Sequence, residues 1–192
     1  MITWRHLPHI QEPEQAVFLT WRLYDSLPPN RAFPQPAIPS GKAFAIMDRL
    51  LDEARTGPFY LRQPAIADMV VDAIQYNADV LHHYVLHAFA VMPNHVHVLV
   101  TPQVPLSKLT KSLKGITAKR ANIMMSQTGK PFWQEESYDH VVRNGREFER
   151  ICNYIEENPV RAGLVRTACE YRWSSAAGAT RGSPADEGVR PT

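Results

Sequence analysis

The chain has little cysteine: only Cys152 and Cys169 among 192 residues. Two thiols are too few for the disulfide framework of a small secreted domain, and they fit a reducing compartment. A long apolar run is missing as well. The most hydrophobic stretch, Ala88 to Val100, is broken by Pro93, Asn94, His95 and His97 and is too short to span a bilayer. The opening residues show no basic segment followed by an apolar one, so no signal peptide is expected. Excess charge is small: 21 Lys plus Arg against 19 Asp plus Glu, a net +2 that does not announce a nucleic-acid binder. These absences leave a soluble cytoplasmic domain. With 44% hydrophobic and 21% charged residues, the chain has what one packed core needs.

What is present is an alternation of helical and strand patterns without an internal repeat. Residues 16–27 read as a strand, and the five prolines between Pro28 and Pro39 as a loop. A helix follows over Ala43–Ala54, with Phe44, Met47, Leu50 and Leu51 on one face. A second covers 64–78, with Ile66, Met69, Val70 and Ile74 inward. Residues 84–92 and 95–101 are the clearest strands, joined by Pro93-Asn94. A helix over 106–125, extended chain over 132–143 and a last helix from Glu147 to Asn158, closed by Pro159, complete the pattern. Residues 178–192 are small and polar and read as a disordered tail beyond a 1–177 domain. The class expected is α+β on a mainly antiparallel sheet.

Two elements carry chemistry. In the strand 95–101, side chains alternate, so Val96, Val98 and Val100 share a core face while His95 and His97 share the other. Two imidazoles on one strand face lie close enough to share a divalent ion, and solvent-facing histidines would give the same pattern. In the last helix, Phe148, Ile151, Cys152 and Ile155 form the inward stripe. Tyr154 falls about 110° from the centre of that stripe, with Asn158 one turn on. Position alone makes it a boundary tyrosine. As a nucleophile, a phenol of ordinary pKa needs a metal ion to polarise its target.

The near-neutral total also hides a local excess. From Thr101 through Gln134 there is no Asp or Glu, while Lys108, Lys111, Lys114, Lys119, Arg120 and Lys130 are all positive. On the helix 106–125 the four lysines lie opposite Leu109, Leu113, Ile116 and Ile123. Such a stripe is a solvated face or a track for a phosphate backbone. Trp133 and Trp173 are either core or base-stacking platforms.

In order along the chain, VMPNHVHVLVTP, SLKGITAKRAN, FWQEESYDHVVRN, NYIEENPVRAGLV and RWSS resemble the REP-associated tyrosine transposases. These form a branch of the single-tyrosine HUH (His-hydrophobe-His) transposases, and the likeness covers roughly residues 7–176. The resemblance implies a ferredoxin-like domain, with His95 and His97 as metal ligands and Val96 as the hydrophobe. It implies Tyr154 as nucleophile, ahead of the rival Tyr138, and Asn158 as the third metal ligand. The chemistry implied is cleavage and rejoining of single-stranded DNA at hairpin-forming palindromic repeats, through a 5′-phosphotyrosine link, with Mg²⁺ or Mn²⁺. Lys108, Lys111, Lys114, Lys119 and Arg120 would then contact nucleic acid. A monomer is expected over a homodimer. The alternative is a domesticated protein that binds hairpin DNA without cutting. An unrelated metallohydrolase would need a further carboxylate, and no motif in the sequence is seen to supply one.

Overall fold

A computed structural model describes residues 15–27, 40–54 and 57–177, with only the backbone of 40–45. The proline-rich segment 28–39, Phe44 as a side chain and the 178–192 tail lie outside the described residues. Four strands form one antiparallel sheet: β1 (Val17–Arg22), β2 (Tyr84–Val91), β3 (His95–Pro102) and β4 (Tyr138–Val141). Their order is β2-β3-β1-β4. With helices between β1 and β2 and between β3 and β4, that is ferredoxin-like α+β topology. The helices are α1 (Ser40–Asp52), α2 (Pro64–Asp79), α3 (Leu106–Met124) and α4 (Gly145–Arg161).

Alternation along the strands gives the sheet two buried faces. Val17, Leu19 and Trp21 of β1 join Val96, Val98 and Val100 of β3 against Ile66, Val70 and Ile74 of α2 and Leu109 and Leu113 of α3. The other face collects Phe18, Leu99, Ala88 and Ala90 under Met47 and Leu51 of α1 and Ile151 and Ile155 of α4. β3 is therefore central and covered on both sides, which is why His95 and His97 are fully buried. The chain after α4 lies along the outer side of β2: Val91 donates to the carbonyl of Trp173, and the Tyr171 hydroxyl donates to that of Val91. That contact covers a sheet edge.

Three sequence expectations change. Helix α3 buries Leu106, Leu109, Leu113, Thr117 and Ala121, whereas Ile116 and Ile123 are exposed. Contact with α2 and the sheet follows the i, i+4 row, so Thr117 and Ala121 take the inward places. The segment 132–143 contributes only Tyr138–Val141 as a strand, with Trp133 in a single bridge to Leu23. Pro159 does not close α4. The helix runs through it to Arg161 and is capped by the bond from the Ala162 N–H to the Asn158 carbonyl. A proline in the last turn forfeits one backbone bond without ending the helix.

The other end of α4 is anchored by side chains. Asn144 Oδ1 accepts from the Glu147 N–H at 2.9 Å, and Glu147 accepts from the Arg143 N–H at 2.8 Å. His140 of β4 reaches the same carboxylate at 3.1 Å, tying strand to helix. Asn144→Ala is expected to cost about 1 kcal/mol of stability and lower the melting temperature by roughly 2–4 °C in a calorimetric scan.

Candidate active site

β1, β3, α1 and α4 converge on the sheet face that carries the histidines. His95 Nδ1 meets Asn94 Oδ1 at 2.7 Å, and the Asn94 amide nitrogen donates to the Leu51 carbonyl at 2.9 Å. Asn94 therefore presents its oxygen, an acceptor, and the neutral His95 ring must carry its proton on Nδ1. Its Nε2 is left as a lone pair. His97 Nδ1 lies 2.7 Å from Thr20 Oγ1, directly across the strand pair. The two Nε2 atoms face each other at 3.0 Å.

Asp48, from α1, completes the group. Its Oδ1 stands 3.0 Å from His97 Nε2 and 3.5 Å from His95 Nε2. One atom from each of Asp48, His95 and His97 lies within 4.8 Å of the others, and all three residues are buried. Asn158 of α4 is fully buried too, its Nδ2 placed 3.2 Å from Asp48 Oδ2 and 3.4 Å from His97 Nε2. A half-turn of that amide brings Oδ1 into the cluster. Asp52, one turn after Asp48, lies 3.9 Å from His95 Nε2.

The electrostatics follow from burial. His95 is pushed down to about 3 by desolvation and by His97, against the pull of Asp48, and stays neutral. Burial alone would raise Asp48; the neighbouring His97 and His95 and the hydrogen bonds outweigh it and hold the carboxyl below its ordinary value. Asp52 has no such help. Burial, then the Asp48 charge, push it up to about 8, with Arg161 opposing.

Asp52 Oδ1 and Asn158 Oδ1 accept no hydrogen bond although they are buried, and Asp48 Oδ1 has only His97 Nε2 at 3.0 Å. Orphaned acceptors are costly inside a protein, and Asp52 Oδ1 lies 3.9 Å from His95 Nε2, which also has Asp48 Oδ1 at 3.5 Å. This donor set fits a divalent cation: two imidazoles, a carboxylate and an amide oxygen.

Tyr154 is half-buried beside the cluster, its ring centroid 5.9 Å from that of His97 and 6.1 Å from that of Phe18. Arg161 lies over the Tyr154 ring, its Cζ 4.0 Å from the centroid. Tyr138 sits on the same sheet face in the edge strand β4, 6.2 Å from Phe18. The structure thus brings His95, His97, Asn158 and Tyr154 together. The basic residues it places elsewhere, because α3 packs on the valine face. Lys108, Lys111, Lys119 and Arg120 are exposed there, and Lys114 is tied down by 2.7 Å bonds to the Gln134 and Glu135 carbonyls. Trp133 is core, its Nε1 bonded to Thr117 Oγ1, and Trp173 is half-buried on Asp68.

Sequence reading missed Asp48, and with it the carboxylate that no motif supplies. The signal was present. Phe44, Met47, Asp48 and Leu51 follow the i, i+3, i+4, i+7 pattern, so a carboxylate occupies an inward position of an amphipathic helix.

The sequence profile of IS200-like transposases matches residues 61–158, just over half of the chain and inclusive of both histidines, Tyr154 and Asn158. The chain belongs to the IS200-like transposase family. Among solved structures it is similar to a REP-associated tyrosine transposase bound to a REP hairpin, with a TM-score of 0.59 at 19% identity. That match covers 100% of this chain and 94% of the other and establishes the fold. A candidate transposase from Deinococcus radiodurans also matches, with a TM-score of 0.39, 18% identity, and 81% and 98% coverage. No curated protein sequence matches. Among the described residues, no helix of this transposase-family chain is long and apolar enough to cross a membrane.

Asp52 makes a prediction. In the folded, metal-free protein its proton is held up to about pH 8, while the unfolded chain releases it near 3.8. The folded state binds more protons between those values, so this group's contribution to stability falls as pH rises. Denaturant titrations in a chelator are expected to show Asp52→Asn gaining stability over the parent from pH 5 to 8. An advantage that does not change with pH would contradict the assignment.

Proposed function

We propose that this protein is a metal-dependent single-strand DNA endonuclease and strand transferase, acting on hairpin-forming palindromic repeats with Tyr154 as nucleophile. The observation that carries it is the convergence of His95 Nε2, His97 Nε2 and Asp48 Oδ1 on one buried point beside the Tyr154 ring. The family membership supports the reaction class, and the hairpin bound by the structurally similar transposase supports the substrate.

His95, His97 and Asp48 would hold Mg²⁺ or Mn²⁺, with Asn158 as the fourth protein ligand after its amide turns. The bound cation supplies positive charge that orients the scissile phosphate and stabilises the negative charge added in the transition state. Asn94 and Thr20 do the orienting work: each holds an Nδ1, so that each Nε2 faces the cluster. Helix α4 carries both Tyr154 and Asn158, so the nucleophile and a ligand move as one body. The Tyr154 oxygen forms a bond to phosphorus as the bond from phosphorus to the 3′ oxygen breaks. The phenol proton passes to solvent, and the departing oxygen takes one up from solvent to become a 3′-hydroxyl. The 5′-phosphotyrosine keeps the energy of the phosphodiester, so a 3′-hydroxyl reverses the step or joins another end without ATP.

The α3 cations lie across the sheet from this chemistry. In this reading Lys108, Lys111, Lys119 and Arg120 serve the duplex stem of the hairpin, away from the reacting phosphate, through its backbone charge.

Two experiments test the reading. Incubation with a hairpin oligonucleotide and Mn²⁺ is expected to give a covalent protein–DNA adduct on a denaturing gel. Tyr154→Phe should abolish it and Tyr138→Phe retain it; the reverse would transfer the role to Tyr138. Asp48→Asn and His97→Ala should lose both the adduct and the rise in melting temperature that Mn²⁺ gives the parent. Hairpin affinity with no adduct under any divalent ion would instead mark a non-cleaving binding protein. Separately, replacing Lys108, Lys111 and Lys119 by Ala should weaken hairpin binding and flatten its salt dependence by about one unit of slope for each phosphate no longer neutralised. At saturating DNA the adduct rate should not change.

A further inference from the structure

We propose that Arg161 is a substrate-binding residue of this site, a clamp that holds the reacting phosphodiester beside the Tyr154 ring. The inference rests on Tyr154 being the nucleophile and adds a second positive group to its surroundings. Tyr154, Asn158 and Arg161 recur at i, i+4 and i+7 on α4, so they share one face of the helix. Because α4 continues through Pro159, that face reaches one turn beyond the point where the proline would have stopped it.

The arginine is held in place. One nitrogen, Nη2, donates to the Tyr154 carbonyl at 2.7 Å, and the guanidinium lies on the face of the Tyr154 ring with Cζ 4.0 Å from its centroid. The residue is nonetheless exposed. A guanidinium has five N–H donors in a planar fork, so the bond to the carbonyl uses a small part of what it offers. It is an arginine fixed on the nucleophile, with an edge open to solvent.

A phosphorus bonded to the phenol oxygen stands within reach of a guanidinium seated on that ring. Arg161 then bonds a non-bridging oxygen of that phosphodiester, and the added negative charge gains a guanidinium partner. The same contact persists in the phosphotyrosine, keeping the phosphate aligned for attack by a 3′-hydroxyl. A purely structural role, closing the C-terminal turn of α4, would account for the carbonyl bond. The placement on the Tyr154 ring adds what that role does not require, a cation beside the phenol oxygen.

The test measures single-turnover adduct formation by the full chain on a hairpin oligonucleotide with Mn²⁺. The scissile phosphate is either natural or one of the two separated methylphosphonate diastereomers, each of which replaces one non-bridging oxygen by a neutral methyl group. On the natural phosphate, at saturating Mn²⁺ and with each variant folded at the assay temperature, Arg161→Ala should slow the reaction about 100-fold and Arg161→Lys less. One diastereomer should slow the parent protein and leave nothing further for Arg161→Ala to remove. A rate for Arg161→Ala within about threefold of the parent overturns the proposal. So does a loss of equal size on both diastereomers, which marks a structural role. Tyr154→Phe, run alongside, separates the two readings. If it forms no adduct while Arg161→Ala retains full rate, only the clamp falls. If it still forms adduct, or the parent forms none, both fall.

Discussion

The candidate site depends on two imidazole nitrogens and a carboxylate oxygen crowded together in the buried interior. His95 Nε2, His97 Nε2 and Asp48 Oδ1 stand within hydrogen-bond distances of one another. Asn94 obliges His95 to present a lone pair, and burial keeps that ring neutral. Like ends of dipoles and a carboxylate packed this way repel unless something positive lies among them, either a proton or a cation. The surrounding structure holds the arrangement together: Thr20 and Asn94 behind the rings, the Leu51 carbonyl behind Asn94, and Met47 and Leu51 packing α1 onto the sheet. On the proposed reading this is a preorganised ligand set, in which the scaffold has already met the cost of bringing acceptors together.

The sheet divides the work between its two faces. Valines of β3 and β1 form a conventional core with α2 and α3, and that face contains no group the proposed chemistry needs. The opposite face carries the histidines, both tyrosines and the two helices that supply Asp48 and Asn158. Helix α4 is docked by Ile151 and Ile155, and Tyr154, Asn158 and Arg161, the residues of the proposed chemistry, follow along a neighbouring face. Its anchorage to β4 through His140, Glu147 and Asn144 fixes where those three residues stand.

Much of this was legible in the order of residues. The period-two run over His95–Val100 identified a strand with an apolar side and an imidazole side. The period of 3.6 over Phe148–Ile155 put Tyr154 at the edge of a helix stripe, with Asn158 beside it. Other readings failed for a physical reason each time. Pro159 looked like a stop because a proline forfeits a backbone bond, yet the last turn tolerates that loss. Ile116 and Ile123 looked like core because they are apolar, yet the packing row on α3 runs through Thr117 and Ala121. Lys114 looked like part of a solvated stripe, yet two carbonyls of the 134–135 segment capture it.

By itself, then, the sequence determined the α+β alternation, the two faces of β3 and the residue types of the family, because these rest on local periodicity and on strings of adjacent residues. Tertiary structure decided that Asp48 faces the histidines, that Asn158 is buried with them while Tyr154 keeps an exposed edge, and that the lysines of α3 lie across the sheet. Those are distances between residues far apart in the chain, 47 positions between Asp48 and His95 and 110 between Asp48 and Asn158. Spacing along a single element does not encode which helix covers which sheet face. That choice is made when the apolar stripes of α1 and α4 are buried together, and the polar side chains they carry inward then meet.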